Sequence, residues 1–246
     1  MVSKHFFVQS LLALIMAAGL LAQEAQIQVE QVSEGRPKRV FTCLYWEGTP
    51  KESLYYRMGE EFIPIEFKDS KRSRDYALKR LADFELYRDA EEPKKGKPPY
   101  DLLAKTSIPT GSNRVLFLVI PFQLKDKPSM TYRVLAMDDS LSAFPLGTFR
   151  FVNFTQQPLL VRFADATQKI AAAKMTVMSC KAGKAGGFRP FVIGTTKGKQ
   201  IFGTKLFGQP SGRELVFISP PERKENDTPR VKFITDIRGA ISPGEQ

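Results

Sequence analysis

The sequence predicts an all-β protein: two tandem immunoglobulin-like β-sandwich modules behind an N-terminal signal peptide. Three observations carry that expectation. First, the apolar run RVLFLVIP, Arg114 to Pro121, is echoed by RELVFISP, Arg213 to Pro220. Each run is entered through a Gly/Ser turn (TGSN, PSG) and closed by proline. Second, most of the chain between these runs is short alternating or apolar segments cut by Gly, Pro, Asn and Asp, the punctuation of strands and turns. Third, Phe is abundant (19) beside a single Trp, and Val and Ile fall in short runs, a composition that suits pleated sheets. The Cys…Trp…Cys pattern of true immunoglobulin domains is absent within either module, so the expectation concerns general architecture.

Residues 1–23 read as a signal peptide. Lys4 supplies the positive start, an apolar run follows from Phe6 to about Ala22, and small residues crowd its end. The competing reading is an uncleaved anchor, because the run approaches the lower length of a spanning helix. The polar QEAQIQ that follows at once favours cleavage between Ala22 and Ala25, and no Cys marks a lipid-anchored protein. No other run is long and apolar enough to span a bilayer, so no transmembrane segment is expected after cleavage. The expected location is periplasmic or extracellular.

Cleavage would remove His5, the only histidine. Without histidine a single chain builds no Ser-His-Asp triad, no Cys-His pair and no His-ligated zinc site. No catalytic residue, cofactor or metal is therefore expected.

Residues 24–51 begin polar and turn strand-like, with IQVEQV and RVFTCLYW as runs, and are expected to form an arm docking on the first module. The first module spans 52–139. SLYYR and FIPIEF flank the turn MGEE, and FELYR, YDLLAKTSI, RVLFLVIPF and MTYRVLAMDD follow. Between them, KDSKRSRDYALKRLAD fits either a short helix capped by Ser73 or a loop with a basic edge strand. RVLFLVIPF is apolar at every position from Val115 to Ile120, as expected of a strand covered on both faces or central in its sheet. Leu116→Asp is accordingly expected to prevent folding of this module. SLSAFPLG joins the modules without a flexible Pro or Ser tract, so the modules should touch.

The second module spans 148–238. Matching its runs in order pairs TFRFVNF with SLYYR, PLLVRF with FIPIEF, FRPFVIGT with FELYR, and RVKFITDI with RVLAMDD. Ordered matches at a near-fixed separation are the mark of duplication.

The net charge of +11 directs attention to anionic partners. Lys71, Arg72, Arg74, Lys79 and Arg80 form the densest basic cluster, and Lys94, Lys95 and Lys97 a second. These are the candidate polyanion-binding residues; the simpler reading is a solvated face. Cys43 and Cys180 are the only cysteines and are either a disulfide stapling residues 24–51 to the second module or two buried thiols. Gly183 to Gly187 and GTTKGK (Gly194–Lys199) lack P-loop spacing and read as hairpin loops. Asp138 and Asp139 read as turn and capping residues rather than a calcium site. NFT at Asn153 and NDT at Asn226 fit the glycosylation pattern.

The segments LYYRMGEEFIPI, YRVLAMDDS and AFPLGTFRFVNF resemble those of a group of uncharacterised exported bacterial proteins. The resemblance spans about Leu54 to Phe154, carries no known activity and implies a Gram-negative bacterial origin. The expected function is a non-enzymatic exported binding or assembly protein of the cell envelope, with an envelope protein or an anionic polymer as partner and no specific nucleic acid. The alternatives are a polyanion- or carbohydrate-binding module and, less favoured, a histidine-free hydrolase.

Overall fold

The structure, a computed structural model, describes residues 39–78, 83–90, 99–124, 130–179, 186–221 and 228–236. Residues 1–38, with the expected signal peptide and IQVEQV, lie outside the described residues. From Arg39 onward the chain makes one unit, whose described residues form sixteen strands and no helix.

The first eight strands are β1 (Val40–Tyr45), β2 (Leu54–Met58), β3 (Glu61–Pro64), β4 (Tyr76–Ala77), β5 (Asp83–Asp89), β6 (Tyr100–Ser107), β7 (Arg114–Phe122) and β8 (Thr131–Asp138). They form two sheets, ordered β4-β1-β7-β8 and β3-β2-β5-β6. The second eight are β9 (Thr148–Asn153), β10 (Leu159–Phe163), β11 (Ala166–Ile170), β12 (Met175–Ser179), β13 (Gly187–Thr195), β14 (Gln200–Gly208), β15 (Arg213–Ser219) and β16 (Arg230–Asp236). Their sheets are ordered β12-β9-β15-β16 and β11-β10-β13-β14, the same topology repeated strand for strand.

Register sharpens the repeat. Val40 pairs with Arg114 in parallel, as Thr148 pairs with Arg213. Tight turns join Met58 to Glu61 and Phe163 to Ala166. A bulge falls between Leu86 and Tyr87 in one copy and between Ile193 and Gly194 in the other, opposite the equivalent residues of β2 and β10. Bulges redirect strands and mark built features. Two sandwich modules from one duplicated plan follow directly.

The expected arm, and the strand matching that depended on it, need correction. The arm is no arm: β1 lies inside the first module's sheet, between β4 and β7, and buries Phe41, Cys43 and Tyr45 in that module's core. Setting β1 aside shifted the strand matching by one. TFRFVN corresponds to VFTCLY and LLVRF to LYYRM, while the later matches hold. Each module therefore has eight described strands, with a parallel β1–β7 or β9–β15 pair that the seven-stranded constant-type immunoglobulin order lacks. Of the two alternatives for the basic stretch around Ser73, the structure has the loop and edge strand: the stretch leads into the short edge strand β4. Ser73 Oγ accepts from the Cys43 amide at 2.8 Å and donates to the Arg74 carbonyl, which leaves it no helix to cap.

Side-chain alternation explains why RVLFLVIP is apolar throughout. Val115, Phe117 and Val119 face their own module's core, where Phe117 stacks on Phe84 at 3.9 Å. Leu116 and Leu118 face the other way, into a third core between the modules. That core takes Leu44, Leu116, Leu118 and Met137 from the first copy and the equivalent Val152, Leu215, Phe217 and Ile234 from the second, with Phe144 of the joint. Trp46 meets its own counterpart, Phe154, at 5.3 Å between ring centroids. The copies thus pack through the same face, as subunits do in a two-fold dimer. Each side chain fully buried there contributes about 1.5–3 kcal/mol. The modules touch as expected, and Leu116→Asp now predicts a broken joint.

Candidate ligand-binding site

Polar groups gather at the joint between the modules and at the flank of the second module.

At the joint, Asp139 is fully buried and draws in arginines. Arg72 approaches its Oδ2 at 2.5 Å, Arg213 at 3.2 Å and Arg114 at 3.5 Å. Arg114 and Arg213 are equivalent residues, one from each copy, so the duplication itself brought both to one carboxylate. Arg213 also donates to the Asp139 and Phe144 carbonyls at 3.0 Å. Asp75 holds Arg114 by two bonds, at 3.0 and 2.7 Å. Arg150 lies over the Phe144 ring at 4.3 Å, and burial pushes its pKa down to about 10 against the pull of Asp139. The arrangement pins the two modules and the SLSAFPLG turn together, and its charges are directed at one another.

The flank is where the copies differ. In the first module β6 closes against β8, and Val115 beneath them is fully buried. In the second, β14 and β16 do not close in this way, and a cavity of about 500 Å³ opens between them. Glu214 lines it, at the position equivalent to Val115. Burial pushes the Glu214 carboxyl above its ordinary range, and the Thr235 hydroxyl, donating at 3.0 Å, partly offsets that. Phe149, Phe207 and Phe233 supply the apolar walls and Thr148 and Thr204 further hydroxyls, with Lys205 also on the lining. Phe207 is 43% exposed and meets the 66% exposed Phe188 edge-on. Gly186 keeps that corner tight: at φ +76° a Cβ there would come within 2.8 Å of the Gly208 carbonyl. The volume falls within the roughly 300–1,000 Å³ usual for small-molecule sites, and apolar walls with a few convergent polar groups are their usual chemistry. A half-buried carboxyl with a perturbed pKa in a cleft points the same way.

The residues singled out in the sequence are scattered by the fold. Lys71 is exposed, while Arg72 is drawn inside to Asp139 and leaves the surface cluster. Arg74 pairs with Glu66 at 3.3 Å and lies over the Tyr76 ring. Lys79, Arg80, Lys94, Lys95 and Lys97 lie outside the described residues. Cys43 is a buried free thiol facing the first module's interior, where burial pushes its pKa far up. A bridge to the second module would have to leave that core; Cys180 lies outside the described residues. Gly194–Lys199 is a hairpin end, closed by the Thr195 amide on the Lys199 carbonyl with Gly198 at φ +85°. Gly183 lies outside the described residues. Asp138 caps the next turn, accepting from the Ser140 amide at 2.9 Å. Asn153 is fully buried, donating to the Gln157, Ile170 and Ala171 carbonyls, so it offers no acceptor for a glycan; Asn226 lies outside the described residues.

Sequence reasoning missed Glu214. The signal was present: RVLF set over RELV places a carboxyl in the column of a core valine.

An aromatic group also lies on the outer face of β3-β2-β5-β6. Its rings pack on each other, Phe62 stacking on Tyr100 at 4.1 Å and meeting Tyr87 edge-on at 4.9 Å, so their faces are largely occupied.

No family model matches the chain, and no curated protein matches it. Among solved structures, a DUF3823 family protein from Bacteroides ovatus is similar at 9% identity and a TM-score of 0.20, over 70% of this chain and 97% of that one. A likeness at that level adds nothing to the architecture read from the strands.

Proposed function

We propose that this chain is a non-enzymatic, exported binding protein of the cell envelope that takes a small ligand at the flank of its second module. One observation carries the reading: a cavity with a half-buried carboxyl occupies, in one copy only, the place where the other copy has closed core. Replacing a core valine by glutamate costs stability unless the group has a partner. Thr235 supplies one such partner at 3.0 Å, and a bound ligand would supply the further donors that an ionised carboxylate accepts. Catalysis is less well supported, because Glu214 is the only carboxylate among the described lining residues and glycoside hydrolysis ordinarily needs two. A polyanion role loses Arg72 to the joint.

The experiment is ligand-observed NMR on envelope extracts, with wild-type protein and Glu214→Val. Small-molecule signals that respond to the wild type and vanish with the variant support the reading. Signals responding equally to both place binding elsewhere and overturn it.

A further inference from the structure

Resting on that reading, we infer that the flank cavity binds a neutral sugar ring, with the Glu214 carboxyl and the Thr235 hydroxyl taking hydroxyl groups of the ring and the phenylalanines covering its apolar face. The charges on the lining narrow the choice. A phosphate or carboxylate ligand would be driven against Glu214 in a half-buried setting, where Coulomb repulsion is weakly screened. A cationic ligand would meet Lys205, and the Arg213 guanidinium already serves Asp139 close by. A purely apolar ligand would cut the Glu214 carboxyl off from water with only the Thr235 hydroxyl donating to it, and would cover the Thr204 hydroxyl, at a cost of about 1–3 kcal/mol for each group left unsatisfied.

A pyranose meets all three constraints. It is uncharged. Its rim is a ring of hydroxyls, each a donor and an acceptor, which suits a carboxyl that only accepts when ionised and hydroxyls that do both. Its C–H faces are apolar and pack on aromatic rings, and Phe149, Phe207 and Phe233 line the same cavity. The volume of about 500 Å³ accommodates a ring of this size with a substituent. At the equivalent flank of the first module Val115 stands in place of Glu214 and β6 closes against β8, so binding of this kind is expected at the second module's flank.

The test is backbone-amide NMR of the full chain titrated separately with methyl β-D-glucopyranoside, methyl α-D-mannopyranoside, N-acetylglucosamine, cyclohexanol, cadaverine and inorganic phosphate. The expected result is saturable shifts centred on Leu206–Gly208 and Phe233–Thr235 with at least one sugar. Glu214→Val should weaken that binding at least tenfold, Thr235→Val several-fold, and both variants should keep the wild-type spectrum elsewhere. Val is the residue the equivalent position already carries, so Glu214→Val is compatible with folding. Saturable Glu214-dependent shifts with cyclohexanol, cadaverine or phosphate and none with a sugar would overturn the sugar assignment and leave the binding site standing. Sugar binding that survives Glu214→Val would overturn the assignment as well. No response at these strands from any probe would overturn the assignment, and together with unresponsive envelope extracts would overturn the binding reading too.

Discussion

The two flanks of this molecule share one plan and differ in how they are closed. In the first module Val115 is sealed beneath β6 and β8; in the second, Glu214 lines an open cavity between β14 and β16. Topology, register, turns and even the bulge agree between the copies. The shared parts are those that hold the copies together. Equivalent side chains make the central core, and equivalent arginines meet at Asp139. Duplication therefore secured the frame twice and left one flank free to change.

The comparison is broken hardest by exchanging the residues that define it. Val115→Glu puts a carboxyl into a closed core with no cavity to receive it. We expect a loss of about 4–5 kcal/mol, enough to unfold the first module in urea titrations at neutral pH. Asp139→Ala attacks what the copies share. It leaves the arginines of both modules without their buried carboxylate and should cost about 3–5 kcal/mol. Truncating the shared core is the next step down. Leu118→Ala and Phe217→Ala remove equivalent side chains and should each cost about 2–5 kcal/mol, at similar denaturant midpoints. Unequal midpoints would show that the joint is less symmetric than its residues suggest. A thiol probe gives the finest contrast: Cys43 should react with an aromatic disulfide reagent only as fast as the first module opens, because its thiol is both enclosed and held protonated.

Much of this plan was legible in the sequence, for physical reasons. RVLFLVIP stood out because a strand covered on both faces has no polar register, and RELVFISP showed that the strand was made twice. β1 was less legible. A parallel partner to β7 carries no turn that announces its pairing, so VFTCLY resembled a lead-in segment. Arg72 was indistinguishable from its neighbours in KRSR, because only the fold decides which of several adjacent cations turns inward to a carboxylate contributed from far along the chain. Glu214 had a local reading as the polar member of a half-buried strand. Only its column in the repeat, beside Val115, marks it as out of place, and only the gap between β14 and β16 shows why it is tolerated.

The central claim is that Glu214 is a stability cost retained for binding. The most direct measurement is the unfolding free energy of Glu214→Val against wild type as a function of pH. Burial raises the folded-state carboxyl above its ordinary value near 4.5. The stability tied to that proton is therefore fully present below the ordinary value and is lost as pH rises through the raised one. The account predicts that Glu214→Val is more stable than wild type at neutral pH, by about 0.5–2 kcal/mol, and that the gap narrows as pH falls through the raised value towards 4.5 and levels off below it. A variant less stable than wild type at neutral pH, or a gap that does not change with pH, would make Glu214 a structural residue and contradict the account.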